Sequence, residues 1–138
     1  MRFWDSSALV PLLVSEDASQ AVRLALDEDS AVFVWWGMRV GHRAPRARRS
    51  ASAAAASVAL RRLDAVREAW AEVQPTDRVR ATAVRLLRSH PLRAADSFQL
   101  AAAIAAAEDH PESLPVVTLD DRLADAAERE GFVVVRLA

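Results

Sequence analysis

Pro115-Val116-Val117-Thr118-Leu119-Asp120-Asp121-Arg122-Leu123 is the stretch on which the fold turns. Its first five residues form a short, β-branched apolar run, which is how a strand buried on both faces reads. Residues 120–130 then have helical spacing, and Gly131 closes them, because glycine readily takes the left-handed conformation that ends helices. Phe132-Val133-Val134-Val135 follows as a second strand. Strand, helix and strand in succession make a βαβ unit, and such units build parallel sheets.

Working outward, the alternation continues. Residues 1–4 read as a brief first strand ending at Asp5. Residues 6–13 read as a short helix capped by Ser6 or Ser7, with Pro11 tolerable only in its first turn. Residues 16–26 have helical spacing and stop in Asp27-Glu28-Asp29. Ala31-Val32-Phe33-Val34-Trp35-Trp36 is another buried-type strand. Residues 51–73 read as one long helix on Val58, Leu60, Leu63, Val66 and Trp70. Residues 76–90 form an amphipathic helix opened by Thr76-Asp77 and broken at Pro91. Residues 93–108 are apolar nearly all round, as a central helix is. The expectation is an α/β domain spanning 1–138, with helices on both faces of a mainly parallel sheet.

Composition narrows the chemistry. Hydrophobic residues make up 52% of the 138, enough to fill a core for one domain. Net charge is −1, so global charge does not announce a nucleic-acid partner. All 18 basic residues are Arg, whose planar fork suits phosphate oxygens. Cysteine is absent, which excludes disulfides, thiolate metal sites and a cysteine nucleophile. No apolar stretch, the alanine-rich run 101–107 included, approaches the roughly 20 residues of a membrane span. With no leader-like start, the expected location is the cytoplasm.

Three carboxylates stand out. In open parallel sheets, ligands bind at the carboxyl ends of the strands. Asp5 follows the first strand and Asp120 follows the strand 115–119, so both belong at that edge. Asp96 lies in the first turn of an otherwise apolar helix, where a carboxylate is costly to bury unless paired or bound to a cation. Taken singly, Asp5 and Asp120 read most simply as helix N-caps, and Asp96 as an acid meeting a helix dipole. Together at one edge they repel one another, and a divalent cation removes that repulsion. Mg²⁺ or Mn²⁺ suits an all-oxygen site.

These residues carry a resemblance. Asp5-Ser6-Ser7-Ala8-Leu9 resembles the opening motif of PIN domains. Leu92-Arg93-Ala94-Ala95-Asp96-Ser97-Phe98-Gln99-Leu100-Ala101 resembles the family's later helix with its third acid. Thr118-Leu119-Asp120-Asp121-Arg122-Leu123 resembles its Thr-x-Asp-x-x-Leu motif with the fourth. Gly131-Phe132-Val133-Val134 matches its closing strand. The resemblance implies a three-layer α/β/α sandwich and a VapC-type toxin. Such a protein is a Mg²⁺-dependent endoribonuclease with Asp5, Asp96 and Asp120 as catalytic metal ligands. It also implies an RNA substrate, a cognate antitoxin and a homodimer. Asp121 is the nearest impostor for Asp120, which fits the Thr-x-Asp spacing.

The second acid departs from the pattern. The family has a Glu after an Arg-Val pair, but here Arg39-Val40 leads into Gly41-His42. No Asp or Glu occurs between Asp29 and Asp64, and residues 41–50 combine Pro45 with several Arg and no large apolar side chain. Three readings stand: a basic RNA-contacting loop, an impaired nuclease that still binds RNA or antitoxin, or a local reading-frame error. His42 offers an imidazole to a metal; the plainer reading is an exposed histidine in a basic loop. Arg39 or a neighbour offers a phosphate contact. A receiver- or phosphatase-like site with Asp5 as nucleophile fits poorly, since Ser6 stands beside Asp5 and the chain has no Lys.

Overall fold

The structure, a computed structural model, describes residues 1–9, 19–29, 31–37, 61 and 70–136. Its strands are β1 (Arg2–Trp4), β2 (Val32–Trp35), β3 (Trp70–Val73), β4 (Val116–Thr118) and β5 (Val134–Arg136). They form one sheet in the order β3-β2-β1-β4-β5, with every neighbouring pair parallel. The helices are α1 (Ser6–Leu9), α2 (Ser19–Glu28), α3 (Asp77–Ser89), α4 (Ala94–Ala106) and α5 (Asp121–Arg129).

Alternation along the strands divides the interior in two. Successive strand side chains point to opposite faces. Phe3, Phe33, Trp35, Val116 and Val134 pack with Val79, Leu86, Leu100, Ile104, Leu123 and Phe132 of the α3–α5 side. Trp4, Val32, Val34, Val117 and Val135 pack with Ala8, Leu9, Val22 and Ala25 of α1 and α2. The sheet is therefore the middle of three layers, as expected, and both faces of its central strand are dry: Phe3 is 1% exposed and Trp4 0%. The apolar stretch expected to be a central helix is α4, with Leu100 to Ile104 all buried.

Local chemistry sets the ends of these elements. Thr76 caps α3, its hydroxyl accepting from the Val79 N–H at 3.2 Å. At the end of α5, Gly131 sits at φ +100°, its N–H donating to Glu128 O, while the Phe132 N–H reaches back to Ala127 O. This is a Schellman closure, with Phe132 buried beneath the helix it ends. The closure takes Phe132 out of the last strand, so β5 begins at Val134 rather than Phe132.

One reading is corrected. Residues 51–73 do not form one helix, because Trp70–Val73 is β3, paired with β2 from Val32↔Trp70 to Trp35↔Val73. Trp-Ala-Glu-Val is an edge strand with an acid in it, so it lacks the continuous apolar run that marks a buried strand. Arg61 is helical, and the remainder of 51–69 lies outside the described residues, as do 10–18 and 38–50. Among the described residues no helix is long and apolar enough to cross a membrane.

A polar knot joins the end of α3 to the end of α5. Arg85 donates to Glu130 Oε1 at 2.8 Å. His90 Nε2 lies 2.8 Å from Glu130 Oε2, and because a carboxylate has no proton to give, the ring donates. The Arg85 hydrogen bond, helped by that of His90 and by both charges, holds the Glu130 carboxyl below its usual value despite the opposing effect of burial. A depressed folded value means a contribution to stability that is full above the ordinary Glu value of about 4.3 and is lost as pH falls through the lower folded value. Glu130→Gln is therefore expected to flatten the acid limb of a stability–pH profile from urea melts below about pH 4.5. Superimposable acid limbs would show that the knot contributes nothing.

Candidate functional site

From β1 the chain proceeds to β2 and β3 on one side; β4 and β5 lie on the other. Strand order reverses between β1 and β4, and such a switch point opens a crevice beyond the carboxyl ends of its strands. Asp5 is the first residue past β1, and Asp120 the second past β4. The sequence placed both at this edge, and the topology makes them neighbours.

Asp5 is only 3% exposed and is held by hydroxyls. Its Oδ2 accepts from Ser7 Oγ at 2.5 Å, from Thr118 Oγ1 at 2.8 Å and from the Ser7 N–H at 3.3 Å. Each hydroxyl has one proton to give and lone pairs to receive with. Ser7 Oγ receives from the Leu119 N–H at 2.9 Å, and Thr118 Oγ1 from the Asp120 N–H at 3.0 Å. Both hydroxyls thus donate to the carboxylate and accept from the turn after β4, which ties the first and last parts of the chain together. Oδ1 has only a 3.5 Å contact from Ser6 Oγ. Burial pushes the Asp5 carboxyl above its usual value, outweighing the hydrogen bonds from Ser7 and Thr118 that oppose it.

Asp120 does cap its helix: Oδ1 accepts from the Leu123 N–H at 3.0 Å. Asp96 stands in the first turn of α4 and is half-buried. Its carboxyl is raised first by burial and then by the charge of Asp120, against the Arg93 N–H and the charges of Arg93 and Arg122. Asp121 is exposed and paired with Arg136 at 3.2 Å, apart from this network.

The structure thus brings Asp96 within electrostatic reach of Asp120, and joins Asp5 to Asp120 through Thr118. It does not close the three into one cage: among the described residues no three His, Asp or Glu side chains lie close enough to hold an ion. The donor set suits a hard cation that keeps most of its waters and binds through one or two carboxylates and a substrate phosphate, which is how Mg²⁺ is commonly held. Arg39, Gly41 and His42 lie outside the described residues. Sequence reasoning passed over Ser7 and Thr118 as functional groups. The signal was a hydroxyl two residues after one acid and another two before its partner. Arg93 and Arg122, whose charges act on Asp96, were not singled out, because charged residues at helix starts look like ordinary solvated surface.

No family model matches the chain, and no curated protein does. Among solved structures it is similar to a chain of FitAB bound to an IR36 DNA fragment, at 17% identity and a TM-score of 0.65. The match covers 99% of this chain and 94% of that one. At that identity the likeness concerns architecture, and it agrees with the strand order and layers above: the chain has a PIN-like α/β/α fold.

Proposed function

We propose that the chain is a Mg²⁺- or Mn²⁺-dependent endoribonuclease of VapC type, with Asp5, Asp96 and Asp120 as its metal ligands. In this reading it acts in the cytoplasm as a homodimer and is neutralised by a cognate antitoxin. The observation that carries the reading is the position of Asp5 and Asp120 just past the two strands that flank the switch point, with Asp5 tied through the Thr118 hydroxyl to the Asp120 N–H, and Asp96 within reach of the charge of Asp120. The similar solved structure is an assembly on a nucleic acid, FitAB bound to a DNA fragment, which supports a nucleic-acid role.

A bound divalent cation supplies Lewis acidity at the phosphodiester. The protein's part is to hold the carboxylates in place and to meet the phosphate. Ser7 and Thr118 fix the Asp5 carboxylate through Oδ2, and Asp5 with Asp96 and Asp120 would hold the cation. The Leu123 N–H fixes Asp120. Arg93 and Arg122, both exposed, offset negative charge beside Asp96 and are suited to a phosphate oxygen.

The absence of a three-carboxylate group among the described residues, with Gly41 where the family has Glu, favours a second reading: a module that binds RNA or antitoxin without cleaving. Incubating purified protein with single-stranded RNA in Mg²⁺, Mn²⁺ or EDTA separates the two. Slow cleavage that needs the cation is expected, since loss even of an outer-shell partner weakens metal sites by about 10–100-fold and a missing carboxylate ligand costs more. Tight RNA binding with no cleavage at any cation concentration would establish the second reading, and cleavage unchanged by EDTA would exclude a metal mechanism.

A further inference from the structure

We propose that Trp36 is a stacking platform for a nucleobase of single-stranded RNA beside the phosphodiester site. The inference rests on the ribonuclease reading and names the part of the substrate that this edge of the sheet takes. Trp36 directly follows β2. The register pairs Phe3 with Phe33. Carried two places further, it sets Trp35 level with Asp5 one strand away, a separation of about 5 Å. Trp36 continues past the same carboxyl edge.

Its ring is available, with 41% of the residue's surface exposed. It is also held in place. The Trp36 N–H donates to Val73 O at 3.0 Å. Its ring meets Trp35 edge-on, with centroids 6.4 Å apart at 73°, and Trp35 lies flat on Phe98 at 5.5 Å and 9°. Phe98 is two residues past Asp96 on α4, so the three rings run from the helix of Asp96 to the rim of the sheet. Gly37 keeps this stack intact, because a Cβ there would come within 2.5 Å of the Trp35 indole nitrogen. A ring fixed in advance loses little freedom when a partner stacks on it.

Charge points to the partner. The sequence after Trp36 carries Arg39, Arg43, Arg46, Arg48 and Arg49, with no Asp or Glu before Asp64. An aromatic face followed by cationic chain matches a ligand that is itself flat and anionic. Single-stranded nucleic acid has both properties, and its bases stack on aromatic side chains with little regard to sequence.

The test is anisotropy of a labelled single-stranded RNA in EDTA, so that cleavage does not interfere, with W36A, W36F and W36L beside the parent protein. W36A is expected to bind about 10-fold more weakly, and W36F to stay within about threefold because it keeps a ring. W36L should be as weak as W36A, since it supplies bulk without a π-face. Where W36A does not fold, the W36F–W36L comparison decides. Equal affinities for parent and W36A, or for W36F and W36L, overturn the proposal while leaving the ribonuclease reading standing. A parent protein that binds no RNA sinks both.

Discussion

On the ribonuclease reading, Asp5→Asn is expected to lower divalent-cation-dependent cleavage and cation affinity by more than the roughly 10–100-fold that loss of an outer-shell partner costs, while leaving the fold intact. The hydrogen bonds explain why the two effects separate. Oδ2 receives both the Ser7 and Thr118 hydroxyls, and an asparagine carbonyl in that place accepts the same two protons. Its NH₂ then occupies the position of Oδ1, where only a long contact from Ser6 is met. What disappears is the negative charge that a cation needs. Burial opposes that charge, so removing it does not cost stability, and the thermal midpoint should hold or rise. Asp5→Ala is the contrast: it takes the shared acceptor from the buried Thr118 hydroxyl and the half-buried Ser7 hydroxyl, which lie 3.1 Å apart and can donate only one proton between themselves. One donor is then left unmet at about 1–3 kcal/mol, and the midpoint should fall by roughly 5 °C. Calorimetric Mg²⁺ titrations and melts on the same preparations read both. An Asn variant that binds and cleaves like the parent would remove Asp5 from the site.

Trp4→Ala is expected to cost about 3–5 kcal/mol, a large share of the roughly 5–15 kcal/mol that holds a domain together. Trp4 is fully buried in the layer shared with α1 and α2, among Ala8, Leu9, Val22, Ala25 and Val117. Several of these neighbours are small, and none can swing in to fill an indole-sized hole. The ring also does polar work: Nε1 donates to Asp29 Oδ2 at 2.8 Å. Asp29 in turn holds the amino group of Met1 at 2.8 Å and the Ala31 N–H at 3.3 Å, so Trp4 anchors the turn into β2. Urea unfolding should show a midpoint lower by roughly 2 M at an ordinary slope of about 2 kcal/mol per M. A loss under about 1 kcal/mol would mean that the layer repacks freely.

The alternation of strands and helices was legible because buried parallel strands are written in unbroken β-branched and aromatic runs: Val32 to Trp35 and Val116 to Thr118 are such runs, and both are strands. Trp70–Val73 was not legible, because an edge strand carries Ala71 and Glu72 where a central one carries two more apolar side chains. Asp5, Asp96 and Asp120 could be picked out by their positions at element ends, since topology brings the ends of parallel strands together. The hydroxyl bridge from Ser7 to Thr118 could not, because pairing of residues this far apart is a property of strand order, which no local pattern encodes. The plainer readings were also realised: Asp120 is an N-cap and Asp96 sits in a helix's first turn, so these acids shape their helices whatever else they bind.

The hydrogen bond from Thr118 to Asp5 spans 113 residues, and this separation sets a timetable for the nascent chain. β1 is the middle strand of the finished sheet, yet it is made first, and its pairing with β4 waits until that strand has emerged. At about 5–20 residues per second the wait is roughly 6–20 s. Through that interval Asp5 lacks the Thr118 hydroxyl and Asp120 does not yet exist, so the cluster around Asp5 is incomplete. Closing so long a loop also makes this step a late one in folding. The acids are therefore brought toward one another only once β4 has been made, and a copy cut short before it lacks the Asp5–Thr118 tie altogether.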